Sequence, residues 1–393
     1  MKHSILYILP LFLLGSCEGF FGKKTSTDFL EAPTYNDNTV AYVPIQPALT
    51  GFANPTDIII GFDQQIYVAD SGTSKIIAFD QAGQKTGEFS VPYLKSLIQD
   101  RQLNMLALGR KDTIINGTSY KLPAIYRLDL NNAGPYGLNN ARIKSISVFP
   151  FCFNPAAIVT AKDELVSFES VAILANNKYY VARRGPDASG TIYSDAVLSF
   201  DAKDKFISPI FVTTSFGTQG DYFKEPKSLT SYVQPPQSPS LSTKGDFIYT
   251  SFDENLVLSV QAIEFKESDA GASYEFKNLA SKDTAKAKDA IYKPYHFSQP
   301  SDVTIAGDET GYIFVADAGK DSIFQFNALG FEGVNAPAAS NSKKAVFASF
   351  GGTGVGLTQF RRPTAVAYFD KILYVADAGN QRVLRFKLTT DFK

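Results

Sequence analysis

The side chains best suited to chemistry are few and scattered. Beyond the first twenty residues the chain carries one histidine, His296 in Tyr295-His296-Phe297, and one cysteine, Cys152, set between two phenylalanines. A single imidazole cannot build a multi-histidine metal site, and a lone thiol cannot complete a multi-cysteine one. Cys152 reads as a buried apolar residue rather than a nucleophile. Acidic residues are plentiful at 39, yet no set of four with convergent spacing stands out. No catalytic residue and no metal ligand is therefore assigned, and calcium is the one ion weighed. The most unusual polar features are the adjacent cations Arg110-Lys111 and Arg183-Arg184. With Asp253, Lys320 and Arg382 they form a candidate binding rim, because a guanidinium fork suits a carboxylate or another anion. Asn116-Gly-Thr118 matches a glycosylation sequon but reads as a plain turn.

The first residues carry a separate signal. Lys2 precedes an apolar stretch over residues 5–14, shorter than the roughly 20 residues a spanning helix needs and laid out as a cleaved export signal. Leu14-Gly15-Ser16-Cys17 then resembles a bacterial lipobox. That resemblance implies cleavage before Cys17, lipidation of its sulfur and attachment to the outer membrane of a Gram-negative cell envelope, with the periplasmic or outer face left open. Residues 1–16 are then a signal peptide and residues 17–38 a polar tether. With Cys17 lipidated, Cys152 has no intrachain partner, so no disulfide supports the fold.

Composition narrows the remaining choices. Lys and Arg total 38 against 39 acids, a net charge of −1, and no long basic run suggests nucleic acid. Thirty-two Phe and twenty Tyr with no Trp suit pleated, half-buried surfaces. The absence of Trp argues against sugar-stacking platforms.

These side chains must be positioned by a repeat. A Phe followed after two or three residues by Pro recurs as Phe52–Pro55, Phe89–Pro92, Phe151–Pro155, Phe223–Pro226, Phe297–Pro300 and Phe360–Pro363. Each head leads into an apolar run, then a strand-like segment such as Ile66-Tyr-Val-Ala-Asp70, Tyr179-Tyr-Val-Ala-Arg183 or Leu373-Tyr-Val-Ala-Asp377. A third, alternating segment follows, such as Ile76–Phe79, Val257–Val260 or Val383–Phe386. Short apolar runs bounded by Gly, Asp and Asn are strands. Residues 279–290 are expected to form a short helix, and 235–239 an exposed Pro-rich loop. The insertions 109–124, 130–145, 183–196, 232–246, 266–294 and 331–345 are where function is expected.

Pro363–Phe386, with Tyr374-Val-Ala-Asp377, Asn380 and Arg382-Val383, closely resembles an NHL repeat. Pro55–Phe79 and Pro300–Phe326 resemble it well, and the other three units are degenerate. The resemblance implies an all-β, six-bladed propeller over residues 39–393, in which Asp70, Asp317, Asp377 and Asn380 hold turns rather than do chemistry. The last blade lacks its outer strand, and Thr39–Ile45 is expected to supply it and close the ring. Enzymes with related propellers rely on several histidines, which this chain lacks. His296 is expected to be a packed residue between blades. The function expected is non-catalytic binding or scaffolding, with a protein or peptide partner. The alternatives are a divalent-metal hydrolase or lactonase with a carboxylate-lined channel, and a glycan-binding accessory to an outer-membrane transporter.

Overall fold

The strands fall into six sheets arranged about one axis. The computed structural model describes residues 40–392 apart from 132–133, 150–158, 160, 187–194, 234–244, 269–270, 280–284 and 337–343. Cys17, the 17–38 tether, Cys152, the Phe151–Pro155 head and the 235–239 loop lie outside those residues.

Blade one comprises Pro55–Ile60, Ile66–Asp70, Lys75–Phe79 and Lys85–Ser90, from the axis outward. Blade two comprises Ser96–Gln99, Asn104–Ile115, Thr118–Asp129 and Arg142–Val148. Blade three comprises Ser167–Ile173, Tyr179–Arg184, Ala196–Phe200 and Phe206–Pro209. Blade four comprises Pro226–Ser231, Phe247–Ser251, Val260–Ser268 and Gly271–Lys277, and is widened by the hairpin Val212–Thr214 and Gly217–Gln219. Blade five comprises Pro300–Ile305, Ile313–Asp317, Ser322–Phe326 and Phe350–Gly351. Blade six comprises Pro363–Phe369, Ile372–Asp377 and Arg382–Leu388. Its outer strand is Tyr42–Leu49, paired antiparallel with Tyr42 opposite Leu388 and Ile45 opposite Arg385. The inner strands pack against one another right round the axis, with blade six against blade one. The expected closure is present, a few residues later than the sequence placed it.

The cores lie between blades, and strand alternation explains why. Successive side chains leave a strand on opposite faces. Ile58, Ile60, Ile66 and Val68 pack towards Ala365, Tyr374 and Val383 of blade six. Ile59, Tyr67 and Ala69 turn the other way, towards Leu97, Met105 and Ile125 of blade two. Both faces of the second strands are dry, so Ile66–Asp70, Phe247–Ser251 and Ile313–Asp317 are buried throughout, whereas outer strands such as Lys85–Ser90 and Arg142–Val148 are partly exposed. Full burial of one such aliphatic side chain contributes about 1.5–3 kcal/mol.

The repeated head has a packing reason. Phe52 meets Phe79 at 5.7 Å, Phe297 meets Phe326 at 5.9 Å and Phe360 meets Phe386 at 5.9 Å, between ring centroids. These three heads pin the third strand of their own blade, whereas Phe223 packs on Phe247 and Tyr249 of the second strand of blade four. Asp70 accepts the backbone N–H groups of Ala53 (3.0 Å) and Asn54 (2.7 Å). Asp317 does the same for Ser298 (2.7 Å) and Gln299 (2.9 Å), and Asp377 for Arg361 (2.7 Å). A carboxylate accepting several N–H groups fixes the head loop on its strand end. Asn380 Nδ2 donates to Asp377 Oδ2 at 2.8 Å.

Several expected details shift. The 109–124 insertion is a long hairpin, with Asn104–Ile115 and Thr118–Asp129 paired throughout. Its Asn116-Gly117 turn has φ of 52° and 81°, as a two-residue hairpin turn requires. The third strand of blade four begins at Val260, and residues 257–259 precede it. No helix spans 279–290: described residues 285–290 lie in turns, and Ala290 bridges to Phe331. Among the described residues, no helix is long and apolar enough to cross a membrane.

Candidate functional site

Each inner strand for which the head proline leads directly into pairing carries a bulge at the next residue. The bulged residues are Thr56, Lys227, Ser301 and Thr364, and Glu169 holds the same place in blade three. A bulge turns its extra side chain out of the ladder. Here that puts it at the mouth of the axial channel. Three of the five are hydroxyls that fasten neighbouring blades. Thr56 Oγ1 donates to the Lys95 carbonyl (2.9 Å), Ser301 Oγ to that of Pro363 (2.6 Å) and Thr364 Oγ1 to that of Pro55 (2.7 Å). On the other half of the ring the pattern changes to charge. Glu169 Oε2 accepts from Lys227 Nζ at 3.1 Å, and its Oε1 accepts from Lys95 Nζ. Burial alone would raise the Glu169 carboxyl, but Lys227 and Lys95 outweigh it and hold it at about 2. Burial pulls the Lys95 ammonium below its ordinary value despite Glu169.

Thr56, Lys95 and Lys227 line a basin of about 420 Å³ between blades one, two and three, into which Lys227 reaches from blade four. Tyr93, Leu94, Pro123 and Phe168 supply apolar walls, and Asn54, Ser71 and Ser167 supply polar ones. Gly109 closes one side. A Cβ there would lie 2.4 Å from the Pro92 carbonyl oxygen, so blade two carries glycine where blade one carries Asp70. A few hundred Å³ is the scale of a small-ligand pocket.

The axial cavity is small. It measures about 20 Å³ and is lined by Asp57 and Asp302, by the hydroxyls of Ser170, Thr230, Thr304 and Tyr368, and by aliphatic inner-strand residues, room for about one water. Asp57 Oδ2 accepts from Ser96 Oγ (2.6 Å) and Leu97 N (3.0 Å). Asp302 Oδ2 accepts from Val366 N (2.7 Å), and its Oδ1 accepts from Ser228 Oγ. The two carboxylates therefore tie blade one to two, and blade five to four and six. Burial raises both, and the Asp57 charge adds to the rise at Asp302. Among the described residues no group of three or more His, Cys, Asp or Glu is placed to hold a metal ion.

Of the seven rim residues expected from sequence, Arg110 lines the basin. Its guanidinium also donates to the carbonyls of Lys121 (2.9 Å), Glu164 (2.7 Å) and Val166 (2.6 Å). Lys111 is exposed on the hairpin. Arg183 is 4% exposed, opposite Phe168 and Ala196. This corrects its expected place on an open rim: Arg183 stands where the strong repeats carry a buried aspartate, and it is buried as they are. Arg184 pairs with Glu225. Asp253 Oδ1 accepts Asn255 N at 2.9 Å. Lys320 Nζ donates to the His296 carbonyl. Arg382 binds Asp377 (2.8 Å) and the carbonyls of Val355 (2.9 Å), Gly356 (2.8 Å) and Gln359 (3.0 Å).

His296 lies away from the axis, boxed by Phe297, Phe324 and Phe326. Its Nε2 has no hydrogen-bond partner among the described residues and stands 3.8 Å from Glu332 Oε2. Burial lowers it to about 4, although Asp289 opposes the shift.

No protein-family model matches the chain, and no curated protein matches it in sequence. Solved structures match in fold. A luciferin-regenerating enzyme is similar at 13% identity and a TM-score of 0.52, over 88% of this chain and 95% of that one. An auxiliary nutrient binding protein from Bacteroides thetaiotaomicron is similar at 10% identity and 0.51, over 86% and 70%. The PQQ-bound aldose sugar dehydrogenase of Streptomyces coelicolor is similar at 13% identity and 0.50, over 89% and 98%. Their described roles differ, as expected of a fold that hosts unrelated functions. What the chain shares with them is architecture: it is a six-bladed β-propeller.

Proposed function

We propose that this chain is a non-catalytic binding propeller, lipid-anchored in the bacterial cell envelope, that engages a protein or peptide partner through the face bearing its Phe–Pro heads. One contrast carries this reading. The axial cavity holds about 20 Å³ and its two carboxylates are spent on neighbouring blades, whereas the charged basin of about 420 Å³ opens beside the heads. A hydrolase of the lactonase type needs an accessible channel with convergent metal ligands. The basin instead offers fixed cations, hydroxyls and apolar walls, the makings of recognition.

The anchor rests on Leu14-Gly15-Ser16-Cys17. Cys17→Ser should move the protein from membrane to soluble fractions and abolish labelling by a fatty-acid probe; unchanged fractionation refutes the anchor. The binding reading is tested on purified full chain. Calcium dialysis and lactone turnover should both be negative, while the chain retains a partner from native outer membranes. That partner should be lost when Lys95 and Lys227 are both changed to Glu. Stoichiometric calcium with turnover overturns the reading in favour of an enzyme.

A further inference from the structure

We infer that the basin between blades one, two and three is a carboxylate-binding site, taking a carboxylate carried beside an apolar group, as at the end of a peptide. This rests on the binding reading above and names what the site recognises.

The pattern of bulge residues is broken on one side of the ring. Around half of the channel mouth, the bulge residues Thr56, Ser301 and Thr364 fasten each blade to the next. In blades three and four the bulge hydroxyl is replaced by Glu169 and Lys227. Their ion pair, with Lys95, still joins blades two, three and four, but it does so with charge, and Lys95 and Lys227 line the basin.

Charge then decides the ligand. Lys95, Lys227 and Arg110 converge on the basin, with Glu169 between the two lysines and Glu164 near Arg110, so three cations stand against two acids. Glu169 is nearly buried while the lysine side chains stay 43% and 28% exposed. One internal carboxylate thus occupies the inner side of two ammonium groups whose outer sides face the basin. A second carboxylate entering there finds excess positive charge in a partly desolvated setting, where charge-assisted hydrogen bonds are strong. Tyr93, Pro123 and Phe168 line the space beside it, which suits an apolar group next to the anion. A peptide end and a free small acid present the same chemistry.

The test is calorimetric titration of the full chain with three probes: an acetylated tripeptide ending in leucine with a free carboxylate, its C-terminal amide, and acetyl-leucine. The free-acid peptide should bind at least about tenfold more tightly than the amide, since a charge-assisted contact is lost. Lys227→Met should weaken the acid and leave the amide unchanged. Glu169→Gln, which removes the internal competitor in a neutral side chain of the same shape, should tighten the acid severalfold. Acetyl-leucine matching the peptide assigns the site to small acids, and weaker binding assigns it to peptide ends; both support the inference. Equal binding of acid and amide, unchanged affinity in Glu169→Gln, or no saturable binding by wild type and Glu169→Gln overturns it. Should Lys227→Met fail to fold, the Glu169→Gln comparison still decides. A partner that is retained when Lys95 and Lys227 are both changed to Glu sinks this inference and leaves the binding module standing; lactone turnover sinks the module itself.

Discussion

Tyr42 is the place to break the ring. It lies in the strand that completes blade six, yet its ring stacks on Phe350 of blade five at 5.0 Å and meets Phe314 edge-on at 6.4 Å. Its hydroxyl donates to Gln325 Oε1 at 2.9 Å. Tyr42→Ala therefore empties an aromatic site at the junction of two blades. Loss of a buried aromatic ring costs about 3–5 kcal/mol through lost burial and the cavity left behind. Stranding the Gln325 acceptor adds up to about 1–3 kcal/mol unless water replaces the hydroxyl. For a domain of this size the melting temperature should fall by roughly 5–10 °C. Tyr42→Phe keeps the ring and should lose about 1 kcal/mol. Calorimetry gives the totals, and hydrogen exchange locates them. In Tyr42→Ala, protection should fall first in Arg382–Leu388, the strand that Tyr42–Leu49 covers. A melt like that of the wild type, or destabilisation with exchange there unchanged, would refute the reasoning that the fold closes at this seam.

Other perturbations probe the axis and the blade boundaries. Asp302 is raised to about 8 by burial and by Asp57, so from about pH 4 to about pH 8 the folded chain keeps a proton that the unfolded chain has lost, and stability falls as pH rises. Asp302→Asn should flatten that decline in urea melts; an unchanged slope would assign it elsewhere. His296, lowered to about 4, has the opposite sense: its neutral form contributes stability that is complete above about pH 6.5 and is lost as pH falls towards 4. His296→Gln should remove that acid limb from the pH–stability curve. Arg127 binds both Asp100 and Asp204 in a buried pairing between blades two and three, so Arg127→Met should cost about 3–5 kcal/mol by leaving two uncompensated carboxylates. Restoring neutrality with Asp100→Asn and Asp204→Asn should recover much of it.

The fold was legible where local chemistry repeats. The Phe–Pro heads and the Tyr-Val-Ala-Asp strands are visible because both faces of those strands are buried and the heads of blades one, five and six pack on their own third strands. Thr39–Ile45 is legible as a closing strand because it is strand-like, stands alone before the first head, and the last blade lacks its outer strand; the pairing itself runs from Tyr42 to Leu49. Blades two and three were harder to place because their inner strands start at Ser96 and Ser167, well after Pro92 and Pro155. The basin was missed for the same reason. Lys95, Glu169 and Lys227 are far apart in sequence and unremarkable singly; the ring brings them together. One clue was present. The residue after the head proline is Thr56, Ser301 and Thr364 in the strong repeats but Lys227 in the fourth. The adjacent pairs drew attention instead, and Arg183 is buried while Arg184 is held by Glu225.

The most direct test of the account is site-specific photo-crosslinking in the native envelope. A photoreactive residue at Tyr93, on the basin wall, is compared with one at Thr310, beside a separate pocket on the opposite face near Asp308 and Asp391. Position 93 should give a discrete adduct that disappears with Lys227→Glu, and position 310 should give none. An adduct from position 310 alone, or one from position 93 indifferent to Lys227→Glu, would contradict it.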